Sequence, residues 1–167
     1  MPIRVVVLDW GDTLMRDFGL PGPMADWPVI EVMPGAAEAL EALQERFRLA
    51  VASNADASGA DLIRRALDRG GIGRFIESVF SSKEMGVAKP DPSFFRTVLD
   101  ALKVGGLEAV SIGNDPAKDI RPARVAGMRT LLLDGEGREG PCPDADAVAR
   151  VWDEVPALIE RMNAEKN

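Results

Sequence analysis

Ile3-Arg4-Val5-Val6-Val7-Leu8 runs directly into Asp9-Trp10-Gly11-Asp12-Thr13-Leu14, and the change of character at Asp9 decides how the rest of the chain reads. A run this apolar, interrupted only by Arg4, fits a strand covered on both faces, hence parallel and central in its sheet. The exits of such strands are where open α/β sheets carry their sites. Asp9 therefore stands where a carboxylate can do chemistry, although Asp and Thr equally suit a plain turn or a helix cap.

Outward from this knot, strand and helix periods alternate. Strands are predicted at Ile3–Leu8, Arg48–Ala52, Phe75–Phe80, Ala109–Ile112 and Thr130–Leu133. Pro34 opens a helical pattern with Leu40, Leu43 and Phe47 on one face, and a second pattern with Leu62, Ile63, Ala66 and Leu67 stops at Gly70-Gly71. Asp91-Pro92 caps a third, in which Phe94, Phe95, Val98, Leu99 and Leu102 recur at helical spacing. A fourth helix is expected from near Pro116 to Ala126 and a last from about Glu154 to Ala164. The alternation predicts one α/β domain over residues 1–167, a Rossmann-like doubly wound parallel sheet of about five strands with helices on both faces. An insert at about 15–33 departs from the pattern. Pro21, Pro23 and Pro28 with Gly19 and Gly22 exclude a long helix there, while a lid, a subunit contact and a packed loop stay open.

Composition removes several kinds of chemistry. Among 167 residues, 27 acidic against 20 basic ones give a net charge of -7, and no basic cluster offers a footprint for nucleic acid or anionic lipid. No apolar stretch reaches membrane-spanning length and the N-terminus lacks the order of a signal peptide, so a cytoplasmic location is expected. Cys142 is the single cysteine, which leaves no intrachain disulfide and no cysteine metal cluster. Histidine is absent, and with it Ser-His-Asp and Cys-His pairs and His-ligated zinc. Carboxylate, hydroxyl and lysine chemistry remains.

Those groups fall at strand ends. Asp9 follows the first strand, Ser53-Asn54 the second, Lys89 precedes the Asp91-Pro92 helix, and Asn114-Asp115 with Asp119 follow the fourth. Exits of adjacent parallel strands share one edge, so these residues can converge. Convergent carboxylates repel unless a cation sits among them, and hard oxygen ligands suit magnesium. A nucleophile, a metal and a fixed positive charge are the parts that phosphoryl transfer needs. Plainer roles exist for each: Ser53 or Asp119 as a helix cap, Lys89 as a solvated lysine, and Asp134 with Asp144–Asp146 as a solvated loop. Main-chain N–H groups at Asn54 and Ala55 are expected near the start of the following helix, where anions are favoured.

In four places and in order, the chain resembles the haloacid dehalogenase-like (HAD) hydrolase superfamily. Asp9-Trp10-Gly11-Asp12-Thr13-Leu14 is similar to the first motif, Val51-Ala52-Ser53-Asn54 to the second, Gly86-Val87-Ala88-Lys89-Pro90-Asp91-Pro92 to the third, and Ile112-Gly113-Asn114-Asp115 through Asp119 to the fourth. The resemblance implies hydrolysis of phosphate monoesters through an aspartyl-phosphate on Asp9, with Ser53 and Asn54 binding the phosphoryl group and Lys89 neutralising it. It further implies Mg2+ held by Asp9, the Gly11 carbonyl, Asp119 and one of Asn114 or Asp115.

Three departures from the family pattern matter, one of them Asn114 in the fourth motif, where an aspartate is common, with Asp115 beside it. The acid-base aspartate that the family's phosphatases carry two residues after the nucleophile is Gly11 here, and Asp12 is the neighbouring candidate to replace it. A non-catalytic member that binds metal, phosphate or a protein partner is the alternative this raises. The spans from Asp9 to Ser53 and from Ser53 to Lys89 are also too short for the family's cap domain. The site is expected to be open, serving a phosphorylated substrate of unknown identity or closed by a neighbouring subunit of a homo-oligomer.

Overall fold

The computed structural model describes residues 1–137 and 140–165. Six parallel strands form one sheet: β1 (Val5–Leu8), β2 (Arg48–Ser53), β3 (Ser78–Ser81), β4 (Ala109–Gly113), β5 (Arg129–Leu133) and β6 (Ala147–Ala149). Their spatial order is β3-β2-β1-β4-β5-β6, so the chain reverses direction across the sheet between β1 and β4. Such a switch point opens a crevice at the carboxyl ends of the two strands. Asp9 and Asn114 are the residues that leave those two ends.

The apolar run of β1 is explained by its neighbours. Val6 and Leu8 belong to one buried cluster and Val5 and Val7 to another, as alternate side chains must on a strand covered from both sides. The first cluster takes its helical part from α1 (Ala36–Gln44), α2 (Ala60–Arg69) and α6 (Val155–Ala164). The second takes Phe94, Phe95, Val98, Leu99 and Leu102 from α4 (Pro92–Leu102) and Ala123 from α5 (Arg121–Val125). A single turn, α3 (Ser82–Met85), follows β3. No helix is long and apolar enough to cross a membrane among the described residues. No second domain stands over the strand exits there either.

Several expectations shift. The sheet has a sixth strand, β6, whose three residues are too few to show a period. The third strand starts at Ser78 rather than Phe75, because Gly73–Phe75 forms a 3-10 turn that buries Phe75 against the core. The helix after β4 opens as a π-helical turn, Pro116–Ile120, before α5 begins. Asp134 is not a solvated loop residue: its side chain is buried and pairs with Arg150 at 2.7 Å. Asp146 accepts the Thr130 N–H at 2.9 Å and thereby ties the β5–β6 connection to β5.

The 15–33 insert is a packed loop closed at its neck. Met33 N–H donates to the Leu14 carbonyl and Arg16 N–H to the Glu31 carbonyl. Met24, Ala25 and Trp27 are buried, and Arg69 of α2 donates to the carbonyls of Ala25 and Trp27 at 2.7 and 2.8 Å. Two of its residues, Asp17 and Met24, form part of the cleft wall described next.

Candidate active site

Asp9 is the first residue beyond β1, and its N–H donates to the Ile112 carbonyl of β4, which fixes the chain as it leaves the sheet. The following turn is held from below by Trp152, whose indole N–H donates to the Thr13 carbonyl at 2.8 Å. Thr13 thereby points its hydroxyl back at the strand end, 2.9 Å from Asp9 Oδ2 and 3.2 Å from Asn114 Oδ1. One hydroxyl hydrogen serves two oxygens, so part of that acceptor capacity is left for another positive partner.

Lys89 comes from the far side, after β3 and α3, and is buried to within 3% of its side-chain surface. Its ammonium lies 2.9 Å from Asp9 Oδ1, 2.7 Å from Asp119 Oδ1 and 3.1 Å from the Ala52 carbonyl, which occupies all three N–H donors. Asn54 fixes its main chain with a double hydrogen bond: the amide donates to the Lys89 carbonyl at 2.7 Å and accepts the Lys89 N–H at 2.9 Å. Burial works against a charged lysine, yet the two carboxylates overcome it and hold the Lys89 pKa above its ordinary value. Asp119 is pushed upward, first by burial and then by the negative charge of Asp9, against the opposing pull of Lys89 and of the Asp115 N–H. Two carboxylates share one ammonium, and the cluster is one positive charge short.

The fourth-motif acids separate cleanly. Asp115 caps its own helical turn, accepting the N–H groups of Ala117 and Lys118 at 2.9 and 3.1 Å. Asn114 instead faces Asp9 through Thr13. Asp119 returns to the centre, aided by Gly113, where a Cβ would lie 2.3 Å from the Asp119 carboxyl carbon. The cap role considered for Asp119 thus belongs to Asp115.

Two expectations around Ser53 change. Ser53 ends β2 and is buried in the cleft wall, but it caps no helix. The next helix begins only at Ala60 behind Gly59, so Asn54 and Ala55 lie in a loop rather than at a helix start. Their N–H groups nevertheless donate to no main-chain acceptor among the described residues and remain free beside the cleft. Asp12 sits at φ 58°, exposed, with Oδ1 accepting the Asp17 N–H at 2.9 Å. Sequence reasoning missed Thr13, the Asn54 clamp, the Ala52 carbonyl and Asp17. Thr13 lies inside the first motif and Ala52 and Asn54 inside the second, whereas Asp17 lies in the insert and carried no signal.

Asp9, Gly11, Ser53, Lys89 and Asp119 line one cleft of about 330 Å³. A larger hollow of about 630 Å³ near the start of β5 holds Arg129, but that side chain is engaged by the carbonyls of Met1 and Met162. The donors at the cleft are hard oxygens. No group of three or more acidic, histidine or cysteine side chains is gathered for a metal among the described residues. One or two carboxylates, with water and substrate phosphate completing the shell, is how magnesium is usually held, so the donor set fits that ion.

Comparison with known proteins agrees with this geometry. The family model for haloacid dehalogenase-like hydrolases matches residues 22–127, and the chain belongs to that family. It is 40% identical over 93 residues to phosphoserine phosphatase of Thermus thermophilus, covering 56% of this chain and 37% of that protein. The chain spans only 36% to 54% of the length of the curated relatives it matches. Among solved structures, an uncharacterized Listeria monocytogenes protein superposes with a TM-score of 0.84 at 26% identity, covering 96% of this chain and 98% of that one. The magnesium-bound protein YfnB of Bacillus subtilis shares the fold with a TM-score of 0.78 at 15% identity over 95% of this chain and 99% of its own.

Proposed function

We propose that this member of the haloacid dehalogenase-like hydrolase family is a magnesium-dependent phosphatase that cleaves phosphate monoesters through an aspartyl-phosphate on Asp9. The observation that carries the reading is the pairing of Asp9 with a buried Lys89 at the mouth of an open cleft, 2.9 Å apart. Lys89 orients the Asp9 carboxylate through Oδ1, and it places a fixed positive charge beside an incoming phosphoryl group.

A phosphate in the cleft would take hydrogen bonds from Ser53 and from the free N–H groups of Asn54 and Ala55. Thr13 and Lys89 hold the Asp9 carboxylate so that an oxygen attacks phosphorus in line with the departing ester oxygen. Water then attacks the phosphoryl group on Asp9, releasing phosphate and restoring the carboxylate. Asp9, the Gly11 carbonyl, Asn114 and Asp119 would hold Mg2+, whose charge offsets the carboxylate pair and the transferring phosphoryl group. The phosphatase names among the relatives support this class of reaction.

Gly11 favours a second reading, a non-catalytic phosphate or metal binder, because the residue two after Asp9 offers no acid. The experiment that separates the two is hydrolysis of a panel of phosphate monoesters with magnesium and with EDTA, beside Asp9→Asn. Turnover that needs both magnesium and Asp9 supports the phosphatase. An Asp9→Asn variant as fast as its parent rejects the aspartyl-phosphate, and a parent inert on every ester leaves the binder.

A further inference from the structure

Cleaving an alkyl phosphate releases an alkoxide, which leaves slowly unless a positioned acid protonates it. Each carboxylate around the cleft holds at least one hydrogen bond, and Asp12, Asp17 and Asp115 each keep an Oδ2 that meets no donor among the described residues. Asp9 is held by Lys89 and Thr13, Asp119 by Lys89 and the Asp115 N–H, and Asp115 by its own helical turn. Asp12 accepts the main-chain N–H of Asp17. Asp17 differs in standing beside Gly11. Its Oδ1 accepts the Gly19 N–H at 2.8 Å, which fixes the carboxyl group, while Oδ2 meets no donor among the described residues and stands in the cleft wall.

Its position is specific. A Cβ built on Gly11 would lie 3.8 Å from both Cβ and Oδ2 of Asp17. The Asp17 side chain therefore stands, from the loop, at van der Waals distance beside the space that a Cβ on residue 11 would fill, two residues after Asp9. Gly11 leaves that space vacant and Asp17 borders it.

We propose that Asp17 is the general acid and base of the reaction, with Asp12 the positioning residue that holds its main chain. This rests on reading Asp9 as the nucleophile. As an Asp9 oxygen bonds to phosphorus and the ester P–O bond breaks, the Asp17 carboxyl group gives its proton to the departing alkoxide, which leaves as the alcohol. The resulting Asp17 carboxylate then takes a proton from the water that attacks the aspartyl-phosphate. Inorganic phosphate leaves, and both aspartates return to their starting states.

The test uses the full chain with magnesium and two probes: glycerol phosphate, with a poor leaving group, and p-nitrophenyl phosphate, with a good one. Asp17→Asn should slow glycerol phosphate turnover by about 10²–10⁴-fold. On p-nitrophenyl phosphate it should release about one equivalent of nitrophenolate per enzyme in a burst and then turn over slowly, because the aspartyl-phosphate forms without the acid but waits for the base. Gly11→Asp placed in an Asp17→Ala background should recover at least tenfold over Asp17→Ala alone, which a merely structural loop residue would not permit. Asp17→Asn within twofold of the parent on glycerol phosphate, with Asp9→Asn inactive, overturns the role of Asp17 and leaves the phosphatase reading standing. Parent activity that survives Asp9→Asn, or a parent inert on both probes, overturns both.

Discussion

At the scale of single residues, the site is governed by an imbalance of charge. Asp9 and Asp119 both lean on Lys89, whose side chain is 3% exposed. Removing one partner of such a cluster leaves a buried charge without compensation, at about 3–5 kcal/mol. Lys89→Ala should therefore lower the unfolding free energy by roughly that amount and abolish hydrolysis. Lys89→Ala/Asp119→Asn should regain part of the stability but none of the activity, because the carboxylate repulsion is relieved while the ammonium beside Asp9 is still missing. Denaturant unfolding of the four members of this cycle measures the coupling; additive losses would mean that the ion pair at 2.7 Å contributes nothing beyond its separate residues. The residues that sequence analysis reached are those whose type declares a chemistry, such as Asp9, Ser53 and Lys89. The clamp made by Asn54 and the bridge made by Thr13 were out of reach for a physical reason, although both residues lie inside the motifs. An amide clamping a distant main chain, or a hydroxyl bridging two strand ends, is created by tertiary contact and leaves no period in the chain.

At the scale of elements, what brings these residues together is the exit of β1, β2 and β4 at one edge. Register makes this concrete: Leu8 pairs with Val51 on one side and with Ile112 on the other, so Asp9, Ser53 and Asn114 follow within one or two residues of the same line. The apolar runs of β1, β2, β4 and β5 were legible because burial on both faces demands them. β6 and the π-helical turn were not, since three residues carry no period and a π turn differs from an α turn in hydrogen bonding rather than in composition. Gly113, the last residue of β4, shows how tightly strand and site are joined. A Cβ there would come within 2.4 Å of Cβ, Cγ and Oδ2 of Asp119, so Gly113→Ala must push that carboxylate away from Lys89. The expected outcome is a loss of hydrolysis of about 10²-fold or more, as misplacement by an ångström entails, with a smaller loss of stability. A rate equal to the parent's would show that Asp119 need not stand where β4 places it.

At the scale of the whole molecule, an acidic protein of net charge -7 gathers two carboxylates around one ammonium at the mouth of its sheet, and this arrangement would couple the proposed metal binding to pH. Burial and the charge of Asp9 raise Asp119 from 3.8 to about 7, so the folded state favours its protonated form. A carboxyl group raised in this way contributes stability that is fully present below its unfolded pKa and is lost as pH rises through the folded one. Without metal, that contribution should fade between about pH 4 and pH 7. Magnesium held there would supply the missing positive charge only after the proton had gone, so at pH 5 it would have to displace a proton that at pH 8 is already absent. Thermal unfolding at both pH values, with and without magnesium, should show a larger magnesium-induced rise at pH 8. There, metal at a hundred times its dissociation constant would be worth about 2.7 kcal/mol. Asp119→Asn should flatten the difference, because an amide has no proton to exchange. Equal magnesium shifts at pH 5 and pH 8 in the parent would show that the ion, if it binds, does so away from the Asp9–Lys89–Asp119 cluster.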